Sequence, residues 1–246
     1  MSDANETPPQ VSVVLPAYNE AGTIAGVVRG CRAALPQVEE VLVVDDGSSD
    51  GTAACAAQAG ARVLRVERNG GKGHALRLGI ERSVGDILVF LDADGQDDPH
   101  EIPILLDALT AGADLVVGSR FLGRFDPGAI TTVNRYGTHA LNGIVNLLFG
   151  ARLTDTQAGF RAVRRSLLGR IALQARHYDI ETDLLLQAIK VGGRVVEVPV
   201  RRGARRHGAS GLNPIIDGVR ILVRILRVRF QSANGRTHLE GASDAP

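Results

Sequence analysis

The chain is predicted to be an α/β protein, a mostly parallel sheet with helices on both faces, forming one domain with small appendages. Two observations lead there. Short β-branched runs alternate with stretches of helical spacing from residue 11 to residue 117, in four β-then-α units of about 25 residues each. The composition, 44% apolar and 22% charged over 246 residues, is that of a globular chain able to bury a real core.

Residues 1–10, MSDANETPPQ, are polar and turn-rich and are expected to be a disordered tail, as are residues 231–246. The first strand is the run 11–15, closed by Pro16. Helical spacing over 21–35 leads to a strand at 40–44 that ends in Asp45 and Asp46. Residues 49–59 read as helix, 62–66 as strand and 72–83 as helix; the strand 86–91 then runs into Asp92. A helix over 99–110 and a strand over 114–117 complete the series. In such sheets ligands bind beyond the carboxyl ends of the strands. PAYNE, VDDGSSDGT and LDADGQ occupy those ends and are expected to converge on one edge.

The second half is less regular. Residues 134–149 form an amphipathic helix with Arg135, Thr138, His139, Asn142 and Asn146 along one stripe. TDTQAGFRA reads as a turn-like loop, 178–190 as helix and 194–200 as a late strand. Residues 214–230 are strongly helical: Asp217, Arg220, Arg224 and Arg227 make a narrow polar stripe in a segment otherwise rich in Ile, Leu and Val.

A formal net charge of +1 supplies no global charge argument for nucleic acid, and none is expected as a partner. Locally the picture differs: residues 201–230 hold eight arginines and one acid, Asp217. Such a segment favours phosphate groups or an anionic membrane surface. Cys31 and Cys55 have no metal-ligand spacing and are expected to be free thiols in a reducing compartment. The N-terminus lacks the basic-then-apolar pattern of a signal peptide, and no apolar run approaches the ~18 residues of a membrane span. The expected location is therefore cytoplasmic, with peripheral attachment to the membrane surface left open.

Asp92-Ala93-Asp94 is the strongest motif. Side chains two apart on an extended segment point the same way, so both carboxylates are expected to face one site. Mg²⁺ and Mn²⁺ prefer one or two carboxylates plus substrate phosphates and water to a full protein cage. Asp45 and Asp46 open onto the same edge, and one of them is a natural acceptor for the N–H of a uracil or guanine ring. Ser48, Ser49 or Asp50 is read as the cap of the next helix. PAYNE sets Tyr18 and Glu20 just past the first strand, where an aromatic face can lie beside a base. NGGKGHA, with Lys72, is glycine-rich but does not match the P-loop pattern, and no GxGxxG follows the first strand.

PAYNE, VVDDGSSDGT, NGGKGHAL, DADGQDDP, VVGSRF and DTQAGFRA, in this order, resemble the family 2 inverting glycosyltransferases, especially dolichol-phosphate mannose or glucose synthases and polyprenyl-phosphate glycosyltransferases. The resemblance spans residues 11 to about 213 and implies a GT-A fold, with a nucleotide-binding half over 11–118 and an acceptor half over 119–213. It implies that Pro16, Ala17, Tyr18, Glu20, Asp45 or Asp46, Lys72 and Ala93 line the nucleotide sugar. Asp92 and Asp94, with Gln96 as a further contact, would hold Mg²⁺ or Mn²⁺. Arg120 and Arg135 match basic positions that meet substrate phosphates, and Glu181 matches an acid near the acceptor. RRHGASG, residues 205–211 with Arg206 and Ser210, resembles the basic segment that closes on the donor phosphates, although Gly211 stands where a lysine is usual and Arg206 or His207 would substitute for it. Arg201 and Arg202, just before it, are expected at the nucleotide sugar as well.

The expected reaction is metal-dependent, inverting transfer of a hexose from a UDP-glucose or GDP-mannose type donor to a polyprenyl or dolichyl phosphate. A lipid monophosphate carries about −1.5 to −2 charges at pH 7 and needs little general-base help. A hydroxyl acceptor would need a base, for which Glu181 or Asp183 is the candidate. A sugar nucleotidyltransferase is the more distant alternative. The 214–230 helix is expected to lie in the membrane interface, with the 134–149 helix beside it.

Overall fold

The computed structural model of the chain describes residues 9–205, 207, 211 and 213–231. The strands are β1 (Val11–Ala17), β2 (Glu40–Asp45), β3 (Arg62–Arg65), β4 (Ile87–Phe90), β5 (Leu115–Phe125), β6 (Arg161–Arg164) and β7 (Val195–Arg202). The helices are α1 (Ile24–Ala34), α2 (Thr52–Gln58), α3 (Lys72–Arg82), α4 (Ile102–Thr110), α5 (Thr132–Phe149), α6 (Arg165–Leu168), α7 (Ile180–Lys190) and α8 (Pro214–Phe230). All seven strands form one sheet in the order β3-β2-β1-β4-β6-β5-β7. Four of the six pairings are parallel: β3, β2, β1 and β4 run parallel, β5 pairs parallel with β7, and only β6 opposes its neighbours.

Period-two alternation puts helices on both faces. On β1, Val13 and Leu15 pack with Ile24 and Val28 of α1 and Leu105 of α4. Val14, between them, packs on the opposite face with Leu76 of α3 and Leu184 and Leu185 of α7. Each such fully buried side chain contributes about 1.5–3 kcal/mol. A third cluster joins Val145 of α5, Leu186 of α7 and Ile221, Ile225 and Val228 of α8. The C-terminal helix is thus packed into the body of the protein on one side.

Three local expectations change. TDTQAGFRA is not all loop: its last residues begin β6, which is short and follows Gly159 and so carries little strand signal. β5 continues to Phe125, well past Val117, because β7 pairs along it with a shift between Ser119 and Arg124. β4 stops at Phe90, and Ala93 and Asp94 lie in a turn. Of the two terminal tails only residues 9, 10 and 231 lie among the described residues, and Arg206 and Ser210 lie outside them.

Because β1 sits between β2 and β4, the chain leaves it in opposite directions, and a crevice opens at the carboxyl ends of β1 and β4. The functional side chains gather at this crevice.

Candidate active site

Register brings the acidic loops together. Ala17 lies opposite Asp45, so Tyr18 and Asp46 emerge side by side, and Val14 lies opposite Phe90, which brings Asp92 to the same edge. A cavity of about 560 Å³ opens there, with Tyr18, Glu20, Asp46, Lys72, Asp92 and Asp94 in its wall.

The two adjacent aspartates of β2 part company. Asp46 faces the cavity and accepts from the amides of Gly70 (3.0 Å) and Gly71 (2.8 Å). Asp45 is buried on the other side, bound by the Ser48 amide at 3.0 Å and paired with Arg65 at 3.5 Å. Gly71 has φ +91°, a conformation that favours glycine, and a Cβ there would meet the Arg176 carbonyl oxygen at 2.7 Å. That turn delivers Lys72 at the start of α3. Asp50 accepts from the amide of Thr52, the first residue of α2, whereas Ser48 and Ser49 tie the β2 loop to Asn19.

Lys72 is clamped between two carboxylates, Asp92 at 2.6 Å and Glu181 at 2.5 Å. Burial disfavours its charge, but the two acids outweigh this and raise its pKa above the usual lysine value. Gly159 closes over the pair: a Cβ there would lie 3.1 Å from both Asp92 carboxylate oxygens and from Lys72 Nζ. Arg161, the first residue of β6, is buried and donates to the carbonyls of Thr156, Ala158 and Glu181, with burial bringing its pKa down to about 10.

Asp94 sits in a different setting. Arg205 Nη2 reaches it at 2.6 Å while Nη1 reaches Glu20 at 3.1 Å. Arg202 approaches from beneath, 2.7 Å from Asp97, 3.5 Å from Asp94 and 3.8 Å from Asp92. An isolated bridge between Asp97 and Arg202 fixes that approach. Burial disfavours the Asp92 charge, but Lys72 and Arg202 more than offset it and hold the carboxyl at about 2. Burial, with Asp92 and Asp97 adding to it against Arg202, pushes Asp94 up to about 6. The excess of negative charge is local: five carboxylates and three lysine or arginine side chains line the cavity among the described residues.

Residues 12–172 match glycosyl transferase family 2. This chain belongs to that family. It is similar to the glycosyltransferase AglJ of Haloferax volcanii, 35% identical over 90% of this chain and 72% of AglJ. It is also similar to the polyprenol monophosphomannose synthase of Mycolicibacterium smegmatis, 37% identical over 82% of this chain and 80% of that protein. Among solved structures, glucosyl-3-phosphoglycerate synthase of Mycobacterium tuberculosis, crystallised with Mn²⁺, UDP-glucose and phosphoglyceric acid, superposes with a TM-score of 0.74. The two are 28% identical, covering 90% of this chain and 80% of that one. The sheet is that of the GT-A glycosyltransferases.

In this family 2 glycosyltransferase the basic residues expected at the substrate divide by where they are held. Arg120 makes a two-pronged pair with Asp155, 2.7 Å at each nitrogen, and lies outside the cavity wall. Arg135 is exposed on α5, 5.1 Å over the Phe125 ring. Arg201 and Arg202 are neighbours on β7 and point to opposite faces. Arg202 lies beneath the two aspartates, while Arg201 pairs with Asp126 at 2.7 Å beside a neighbouring cavity of about 700 Å³. Gln96 is engaged internally, donating to the Gly203 carbonyl at 2.9 Å and accepting from Arg202 at 3.0 Å. Glu181 stands behind Lys72 rather than in the wall of the cavity that holds Asp92 and Asp94. Among the residues not assigned to the site from the motifs, Tyr178 and, on α8, Asp217 and Arg220 line the cavity. The polar stripe of the C-terminal helix was the signal available for the last two.

The side chains present fit a divalent ion. Among the described residues no cage of three or more His, Cys, Asp or Glu is gathered. Asp92 and Asp94 offer the one or two hard oxygen ligands that Mg²⁺ and Mn²⁺ take when substrate phosphates supply the rest. The excess of carboxylates over basic side chains in the cavity wall favours an added cation.

Proposed function

We propose that the enzyme transfers a hexose from a nucleotide sugar of the UDP-glucose or GDP-mannose type to a polyprenyl phosphate. Inversion at the anomeric carbon and an Mg²⁺ or Mn²⁺ ion held by Asp92 and Asp94 are part of the same reading. One observation carries the choice of acceptor: the first two turns of α8 form part of the cavity wall, through Asp217 and Arg220, while the helix exposes Ile215, Ile216, Val219 and Val223 on its outward side. A cavity bordered by an apolar helix face suits an acceptor that is phosphate at one end and hydrocarbon at the other. The mannose transfer to a polyprenol phosphate named for the M. smegmatis relative supports it.

Tyr18, Asp46 and the backbone at Pro16 and Ala17 would bound the base and ribose, with Asp46 rather than Asp45 facing the ligand. Lys72 holds Asp92 in place and ionised, and Arg202 and Arg205 fix Asp94. When bound, the ion would act as a Lewis acid, stabilising charge on the departing nucleoside diphosphate. An ionised acceptor oxygen forms the new bond to the anomeric carbon as the bond to the diphosphate breaks and its electron pair leaves with the nucleotide. No proton need be removed, so Glu181 can remain bound to Lys72. A single displacement inverts the centre.

The apolar side of α8 would rest on the membrane. With Val133, Tyr136 and Leu147 on α5 it exposes large apolar side chains, and Arg227 and Arg229 are exposed beside it. Arginines flanking an apolar strip suit an anionic lipid surface. No helix among the described residues is long and apolar enough to cross a membrane, and the attachment proposed is peripheral, on the cytoplasmic face. The test is product formation from UDP-glucose, UDP-N-acetylglucosamine or GDP-mannose with a polyprenyl phosphate, with and without Mg²⁺ or Mn²⁺. Metal-dependent glycolipid formation bears the reading out; slow nucleotide release with no glycolipid would reject the acceptor.

A further inference from the structure

The basic side chains around the cavity are not equally free to meet a ligand. Lys72 has both sides occupied by Asp92 and Glu181, and Arg205 spans Asp94 and Glu20. Arg202 is shared among three aspartates and is 11% exposed. Arg220 is different: one nitrogen, Nη1, lies 2.9 Å from Asp217, and the side chain is 48% exposed. Asp217 is buried, and its second oxygen accepts from the Asn213 amide at 2.8 Å, so its own position is set by the cap of α8. The pair therefore orients Arg220, and among the described residues no hydrogen-bond or ion-pair partner takes the other edge of its guanidinium.

Arg220 also lies at a boundary. It lines the cavity that holds Asp92 and Asp94. On α8 its neighbours at three and four residues' distance are Ile216 and Val223, and both are exposed, as is Val219. A cation between a polar cavity and an apolar strip matches an amphiphile whose phosphate enters the cavity while its chain follows the strip.

We propose that Arg220 is a binding residue for the acceptor phosphate, holding an oxygen other than the attacking one, and that Asp217 positions it. This rests on the lipid-phosphate reading above. The guanidinium grips the ground-state phosphate before transfer, so its loss falls on acceptor KM more than on kcat.

The experiment compares Arg220→Gln, Arg220→Lys and Asp217→Asn with the wild type, using a short polyprenyl phosphate in detergent and whichever nucleotide sugar the wild type turns over. Arg220→Gln is expected to raise acceptor KM about tenfold, the weight of one charge-assisted hydrogen bond, with donor KM moved less than twofold. Arg220→Lys should restore part of the loss, and Asp217→Asn should raise acceptor KM by a smaller factor. Unchanged acceptor KM in Arg220→Gln, with a normal wild type, overturns the role of Arg220 and leaves the acceptor reading standing. A rise in donor KM instead would place Arg220 on the donor diphosphate and overturn the proposal. Phosphoglycerate is run in parallel as a soluble, phosphate-bearing acceptor that takes the sugar on a hydroxyl. Turnover there and none with the lipid overturns the lipid source and this role together.

Discussion

Lys72 joins parts of the chain that are far apart: it opens α3, and its ammonium bridges Asp92 beyond β4 and Glu181 at the start of α7. Its first duty is electrostatic support of Asp92, and Glu181 supports it in turn. Glu181→Gln leaves the Lys72–Asp92 pair intact, so with a phosphate acceptor kcat should fall less than about tenfold. A general base would cost roughly 10²–10⁴-fold, and a loss of that size, with donor binding preserved, would point to a hydroxyl acceptor. Asp45 and Asp46 show where motif reading stops: both end the same strand, and only the fold decides that one faces the cavity and the other Arg65. Arg120–Asp155 and Lys72–Glu181 were illegible for a related reason. Such pairs depend on tertiary placement of residues distant in sequence, and the motif around each residue does not say which partner it meets. The thiols give a separate check. Burial pushes Cys31 up to about 12, while Cys55 is only half-buried and both are free. Thiolate is the reactive form, so a disulfide-exchange reagent at pH 8 should leave Cys31 unmodified until the protein is unfolded in urea. Immediate reaction of both thiols in the native protein would contradict the packing described around α1.

At the scale of elements, α5 and α8 have two sides with different duties. Asn142 and Asn146 of α5 bind the backbone of the loop at 153–156, and Glu197 of β7 binds it from the other side. The polar stripe legible in the sequence is thus a clamp on the segment that leads to Gly159 and Arg161. On α8, Arg224 is buried and its Nη2 lies 2.6 Å from Asp183 Oδ1 at an angle that makes a charge contact rather than an aligned hydrogen bond. The other Asp183 oxygen accepts from the Gln174 and Ala175 amides. Removing one partner of a buried pair strands the other charge, so Arg224→Met should lower unfolding stability by about 3 kcal/mol in a urea titration. A loss under about 1 kcal/mol would show that α8 is held by its apolar contacts alone. On the outer side, Val219→Glu with Leu226→Glu alters two exposed positions. It should abolish co-sedimentation with anionic vesicles while leaving the thermal midpoint nearly unchanged, since exposed substitutions usually shift stability by little. Retained vesicle binding would contradict the membrane-facing assignment.

For the whole molecule, the β-then-α rhythm of the first half was legible because local pattern and fold agree there: apolar runs are buried strands, and the acidic loops follow their carboxyl ends. Beyond Val117 the rhythm breaks. The extension of β5 and the insertion of β6 against its neighbours depend on pairing with β7 and β4, and no short-range signal announces them. In the function proposed, that irregular half carries the features that select the acceptor, from the loop sealing the Lys72 pair to the helix bordering the cavity. The most direct test of the central claim is glycolipid formation from a labelled nucleotide sugar and a polyprenyl phosphate, with and without EDTA, by the wild type and by Asp94→Ala. Labelled lipid that appears with the wild type, is lost on chelation and returns with added Mg²⁺ or Mn²⁺, and that falls by at least about 10²-fold in Asp94→Ala, is the predicted result. Lipid labelling that persists in EDTA and in a folded Asp94→Ala would contradict the metal-centred account, and no labelled lipid with any donor would contradict the acceptor.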